Sequence, residues 1–231
     1  MKLGIIAAMD IEAEQLVAAM KDAKKETVSG IEFTSGKLGN ADAVIAVCGI
    51  GKVFAALCAE AMILRYQPDA VINTGIAGSL SETLSIGSIV ISEAVVHHDL
   101  DVTPLGTPYG YIMELDSILL PADEKLIAKI EGLCGKLGIS HEVGVVASGD
   151  QFVAAKERKE FIVSQFGAIA CEMEGAAIGH VCYVNKVPFV ILRSISDGAN
   201  EDALMDYPTF RKLAAAKGSE LMLEFTKGLD A

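Results

Sequence analysis

The sequence predicts an α/β fold: a single three-layer α/β/α domain with a central, mixed, twisted sheet flanked by helices. Three observations lead there. Short apolar runs alternate with segments of helical periodicity along most of the chain. The 231 residues are 52% hydrophobic, enough for one substantial core, and no Pro/Ser-rich linker, low-complexity tract, charge block or internal repeat divides them. Two early β-like runs meet at Gly39-Asn40, a hairpin-type turn signal, so the sheet is not purely parallel.

The elements follow in order. Residues 2–8 read as a buried first strand rather than a signal peptide, because Asp10 and Glu12 end the apolar run. Asp10 caps a helix over about 11–23, with Leu16, Ala19 and Met20 at helical spacing and Glu12 in the first turn. Ile31 to Leu38 and Ala43 to Cys48 form the hairpin. Gly49-Ile50-Gly51-Lys52 breaks the strand and opens an Ala- and Leu-rich helix over 52–66. Asp69 to Thr74 is a buried strand ending at Gly75-Ile76-Ala77-Gly78, and Ser88 to Val96 is another. Residues 98–120 are irregular, a length of loop that is often functional. Pro121 sits at the first position of a helix reaching about Leu137. The chain closes with three strand–helix pairs: Glu142 to Ser148 with Ala154 to Gln165, Ala168 to Met173 with Gly175 to Asn185, and Pro188 to Ile195 with Tyr207 to Lys227.

Composition narrows the function. The net charge is −12 and the only arginines are Arg65, Arg158, Arg193 and Arg211, so the basic stripe of a nucleic-acid binder is absent. No apolar run reaches the ~18–20 residues of a membrane span. The five cysteines lie in apolar surroundings without a CxxC, which suits reduced thiols in the cytoplasm.

The chemistry-bearing residues stand at strand ends. Cys171-Glu172-Met173-Glu174-Gly175 sets two carboxylates two residues apart between apolar segments. They read either as helix N-terminal acids favoured by the dipole or as ligand-binding acids in the crevice beyond strand carboxyl ends. The next strand also closes in an acid, Arg193-Ser194-Ile195-Ser196-Asp197, which favours the second reading. Gly49-Ile50-Gly51-Lys52 matches a dinucleotide fingerprint only at two glycines, has Phe54 at the sixth position, and reads as a tight turn. His97-His98-Asp99-Leu100-Asp101 has no partner group at zinc spacing, so no metal is expected, and a solvated or subunit-contacting loop is. Phe152, after Ser148-Gly149-Asp150, either stacks on a flat ring or packs in the core. Glu12, Gly75 to Gly78, Phe152, Glu174, Asp197 and Arg193 together suit cleavage through a cationic, sugar-like transition state. One acid protonates the leaving group, one activates water and one holds hydroxyls.

Gly4-Ile5-Ile6-Ala7-Ala8-Met9 with Glu12, Gly49 to Val53, Asn73-Thr74-Gly75, His98 to Thr103, Ser148-Gly149-Asp150, Glu172-Met173-Glu174 and Ser194 to Asp197 carry a resemblance along nearly the whole chain. It resembles the 5′-methylthioadenosine/S-adenosylhomocysteine nucleosidases of the purine nucleoside phosphorylase superfamily. The resemblance implies a homodimeric, cytosolic, cofactor-free hydrolase that takes adenine off a 5′-thio-substituted ribose in methionine salvage. Asp197 resembles the acid at adenine N7. Glu12, with Arg193 beside it, resembles the group that activates water, and Glu174 with Met173 the ribose-hydroxyl binder. Phe152 resembles the stacking ring and the Val153 backbone the reader of the base edge. Ile76, Ala77, Gly78, Glu172, Ser196 and Ala199 are further implied contacts, and Ile50, Val102 and Leu105 resemble residues lent by the other subunit. Ile76 stands where many members carry Ser, and Leu105 and Thr107 where aromatics are common. A close branch hydrolyses futalosine-type nucleosides instead, which is the alternative. A phosphorylase would neutralise a phosphate dianion with arginines, whereas here Asp10 and Glu12 end the first strand.

Overall fold

The computed structural model describes residues 1–197 and 207–229. Its elements are β1 (Lys2–Ala7), α1 (Asp10–Ala19), β2 (Lys21–Val28), β3 (Ile31–Leu38), β4 (Ala41–Val47), α2 (Lys52–Tyr66), β5 (Ala70–Ser79), β6 (Ile89–His97), β7 (Leu120–Pro121), α3 (Glu124–Leu137), β8 (His141–Ser148), α4 (Lys156–Phe166), β9 (Ala168–Glu172), α5 (Gly175–Asn185), β10 (Phe189–Asp197) and α6 (Tyr207–Lys227). The strands run β10-β6-β8-β9-β5-β1-β4-β3-β2, with β10 returning to pair with β5. Five strands thus close on themselves, and β1 to β4 extend the sheet beyond them.

β1 lies parallel to both β4 and β5, and β5 lies parallel to β10. These central strands are largely apolar, as befits strands covered on both faces, and the polar residues they carry, Asn73 and Arg193 among them, are buried. Leu3, Ile5, Ile45, Ile72 and Ile191 are buried among them. α1 packs with α6, and α2 packs with α5. Because β1, β5 and β10 are mutually parallel, their carboxyl ends open at the same edge of the sheet, and β9 joins them antiparallel at Gly78 and Ser79.

Several elements differ from the sequence reading. α1 stops at Ala19, and residues 21–28 form the edge strand β2, not the last turn of a helix. Lys21-Asp22-Ala23-Lys24-Lys25 has no apolar alternation; β3 supplies the ladder that makes it a strand. Its lysines discourage pairing with another chain at that edge. Met9, not Asp10, occupies the N-cap of α1. β5 runs on through the glycines to Ser79 instead of ending at Thr74. Pro121 ends a short strand against β6, and Asp123 caps α3 by accepting the Leu126 N–H at 2.9 Å.

Candidate active site

One cleft of about 720 Å³, counted out to its open mouth, lies at the strand ends. Of the residues singled out from sequence, Glu12, Ile50, Ile76, Ala77, Gly78, Phe152, Val153, Glu172, Met173, Glu174, Ser196 and Asp197 line it together. Ala8, Met9 and Cys171, named in sequence only within motifs, line it too, as do Ser79, Leu80, Gln151 and Lys159, which were not anticipated.

Each acid is held differently. Glu12 reaches back over the start of α1: its Oε2 accepts the Ala8 and Met9 N–H groups at 2.9 Å, and its Oε1 accepts the Ile76 N–H at 3.0 Å. Burial pushes its carboxyl up from the ordinary range, opposed by Arg193 and those three N–H groups. A Cβ on Gly75 would lie 2.8 Å from Glu12 Oε1 and against the Arg193 guanidinium, so only glycine leaves room for this packing.

Glu172 and Glu174 divide the two readings offered for them. Glu172 caps α5, accepting the Glu174 N–H at 3.0 Å and the Gly175 N–H at 2.8 Å, where the dipole favours an anion. It also takes hydrogen bonds from Ser148 Oγ and Arg193 Nη2. Glu174, at the N-cap position of the same helix, turns away and accepts the Gly51 N–H at 2.9 Å. Burial and then the neighbouring Glu172 push its carboxyl up to about 7, against Arg193 and the Gly51 N–H.

Arg193 is buried behind the cleft wall and does not line the cleft. Its Nη2 donates to Asn73 Oδ1 and Glu172, its Nη1 donates to Ile76 O at 3.4 Å, and Glu174 Oε2 lies 3.6 Å away. It is the cation that lets three buried carboxylates share one region. Asp197 ends β10 next to a β-bulge, which re-aims the strand end. Its Oδ1 accepts the Ser196 hydroxyl at 2.7 Å. A Cβ on Gly78 would meet its Oδ2 at 3.0 Å. Phe152 resolves toward the cleft rather than the core, with 56% of its surface exposed.

This geometry can be set beside known proteins. Residues 2–227 match the phosphorylase superfamily. A curated 5′-methylthioadenosine/S-adenosylhomocysteine nucleosidase from Shewanella loihica is 39% identical over 231 residues, spanning 99% of this chain and 100% of that protein. The chain belongs to this nucleosidase family. Solved structures agree. The Helicobacter pylori member, complexed with an aminopyrrolopyrimidine joined to a propynylthiomethyl pyrrolidinol, is 36% identical with a TM-score of 0.94 over 99% of this chain and 98% of that one. A structure described as the futalosine hydrolase of Helicobacter pylori strain 26695 matches with the same identity, TM-score and coverage. The family's fold is therefore this chain's fold, and the chain is an enzyme.

Of the residues expected to serve the other subunit, one is placed differently. Ile50, expected to serve the other subunit, lines this chain's own cleft. Val102 and Leu105 do not line it; they sit on the irregular loop after β6, where Leu105 is 69% exposed. Ala199 lies outside the described residues. His97 and His98 are buried, not solvated: His97 Nε2 is 3.3 Å from His180 Nδ1, and Arg158 Nη2 donates to His98 O at 2.7 Å. Among the described residues no group of three or more His, Cys, Asp or Glu is placed to hold a metal ion, and no helix is long and apolar enough to cross a membrane. Asn73 and Ser148 were visible only as parts of motifs; nothing in sequence marks them as partners of Arg193 and Glu172, because those contacts follow from strand pairing, β5 with β10 and β8 with β9.

Proposed function

We propose that this chain hydrolyses the N-glycosidic bond of 5′-methylthioadenosine and S-adenosylhomocysteine, and of 5′-deoxyadenosine, releasing adenine and the 5′-substituted ribose. The observation that carries this reading is the joint presence of Glu12, Glu174 and Asp197 on the walls of one largely apolar cleft of nucleoside size, with an exposed ring at Phe152. Adenine is a poor leaving group as an anion, so Asp197 donates a proton to N7 as the C–N bond breaks. Glu12 takes a proton from water as its oxygen bonds C1′, so the two transfers balance. The three backbone N–H groups on Glu12 fix the carboxylate, and burial makes it the stronger base. Glu174, beside Met173, accepts the ribose hydroxyls. Phe152 stacks on the base, the Val153 backbone reads its edge, and Ser196 orients Asp197. Ile76 packs with Ala214 and Ala215 of α6, so it gives the sugar side of the cleft an apolar wall.

The reading includes a homodimer in the cytoplasm. Val53, Phe54 and Leu57 of α2, Leu105 and Met113 of the irregular segment after β6, and Tyr183 and Val184 of α5 are exposed apolar side chains, more than a monomer ordinarily leaves bare. Val102 and Leu105 would then reach the cleft of the partner. Five free, buried cysteines suit a reducing compartment.

Adenine release is to be measured from 5′-methylthioadenosine, S-adenosylhomocysteine and an aminofutalosine, since the similar Helicobacter pylori structures carry both substrate descriptions. We expect release from the thio-nucleosides, no acceleration by phosphate and no loss with a chelator. A ribose-1-phosphate product would sink the hydrolytic reading. Preference for the aminofutalosine would replace the substrate and leave the mechanism standing.

A further inference from the structure

Glu174 accepts its backbone hydrogen bond from a residue 123 positions away, Gly51, in the turn that opens α2. Gly51 has φ +100°, ψ 159°, a conformation that L side chains rarely adopt and that its surroundings must hold in place. Three hydrogen bonds next to it form a closed ring. Lys52 N donates to Asp150 Oδ1 at 2.8 Å, Asp150 N donates to Asp99 Oδ2 at 2.9 Å, and Lys52 Nζ donates to Asp99 Oδ1 at 2.5 Å. The ring ties together the start of α2, the end of β8 and the end of β6. The Lys52 and Asp99 side chains are only 21% and 16% exposed, so solvent screens the pair weakly. None of the three residues lines the cleft.

We infer that Lys52, Asp99 and Asp150 are positioning residues: their ring fixes the Gly51 N–H against Glu174 and so presents the Glu174 carboxylate to the ribose. This rests on the role given to Glu174 above. The groups facing Glu174 are Glu172 from β9, Arg193 from β10, Glu12 from α1 and Cys48 beyond β4. The Gly51 N–H is, with Arg193, what favours its charged form. If the ring opens, the N–H moves off and the charged form is harder to reach.

The test compares Lys52→Met, Asp99→Ala and Lys52→Arg with the wild-type chain, reading kcat/KM from pH 6 to 9. A rise of one unit in the Glu174 pKa costs about tenfold at pH 6 and little at pH 9. We expect that pattern for both Lys52→Met and Asp99→Ala, with Lys52→Arg close to wild type. The two variants change local charge in opposite senses, so a plain charge effect would move their profiles in opposite directions and would overturn the inference. Equal losses at every pH would also overturn it, as they mark a merely structural role. If Asp99→Ala does not fold, Asp99→Asn takes its place. A crystal structure of Lys52→Met decides independently of activity: Gly51 N still 2.9 Å from Glu174 Oε1 would refute the inference. Should the wild-type chain release no adenine, the substrate reading fails, and the crystal structure alone judges the ring.

Discussion

Single side chains carry the sharpest consequences. Asp197→Asn keeps size and an acceptor for Ser196 but has no proton to give. It should lose at least about a hundredfold in turnover while adenine still binds, the usual weight of a general acid. Wild-type turnover by this variant across pH 5 to 9 would exclude the mechanism. Glu174 predicts a pH profile. Its carboxyl titrates near 7 in the folded chain against an ordinary 4.5, so kcat/KM should fall as pH drops below about 7. Stability runs the other way. Between 4.5 and 7 the folded chain holds a proton that the unfolded chain has lost, so stability declines as pH rises through that window. Glu174→Gln removes this penalty and should melt above wild type at pH 8, with a smaller difference at pH 5, by calorimetry at both values. The acids themselves were readable in sequence, because carboxylates between apolar strands demand a reason. Their division of labour was not: Glu172 and Glu174 are separated only by the direction each takes at the head of α5.

At the scale of elements, α3 offers a clean stability test. Asp123→Ala removes its N-cap hydrogen bond and should cost about 1 kcal/mol, lowering Tm by about 2–4 °C in a chain of this size. Urea and thermal melts would show it, with adenine release at wild-type rates below the transition. Local signals serve such elements unevenly. Gly175 to Asn185 and Tyr207 to Lys227 were legible because helical periodicity and flanking strands agree. β2 was not, because an exposed edge strand receives its reason from β3 and carries no pattern of its own. The same holds for Gly75 to Gly78, which look like a break but extend β5 because β10 pairs alongside as far as Gly78. Pro121 misled for a related cause: a proline before an apolar, charged run fits a helix start, yet its strand partner on β6 lies elsewhere in the chain.

For the molecule as a whole, the exposed apolar face on α2 and its neighbours predicts assembly. Val53, 77% exposed, is the most accessible large apolar side chain of that helix. Val53→Asp should shift the chain from dimer to monomer by sedimentation velocity and reduce adenine release with it. A monomeric variant with full activity would argue that the two clefts are independent. Ile50 lies both at the cleft and at the head of this helix, so the face and the site are contiguous.

Among the described residues, the backbone amides at three helix starts around the cleft already hold the chain's own carboxylates. Glu12 occupies the start of α1, Asp150 and Glu174 the start of α2, and Glu172 the start of α5. Such helix starts are where proteins ordinarily receive phosphate. Their occupation supports the hydrolytic reading proposed above, in which water, the solvent, accepts the ribosyl group. Transfer to phosphate conserves a high-energy sugar ester and runs readily in both directions; transfer to water conserves nothing. On the hydrolytic reading proposed above, the enzyme is in effect a one-way valve: product accumulation slows it by occupying the cleft, while the hydrolysis equilibrium keeps the nucleoside from being re-formed to any extent.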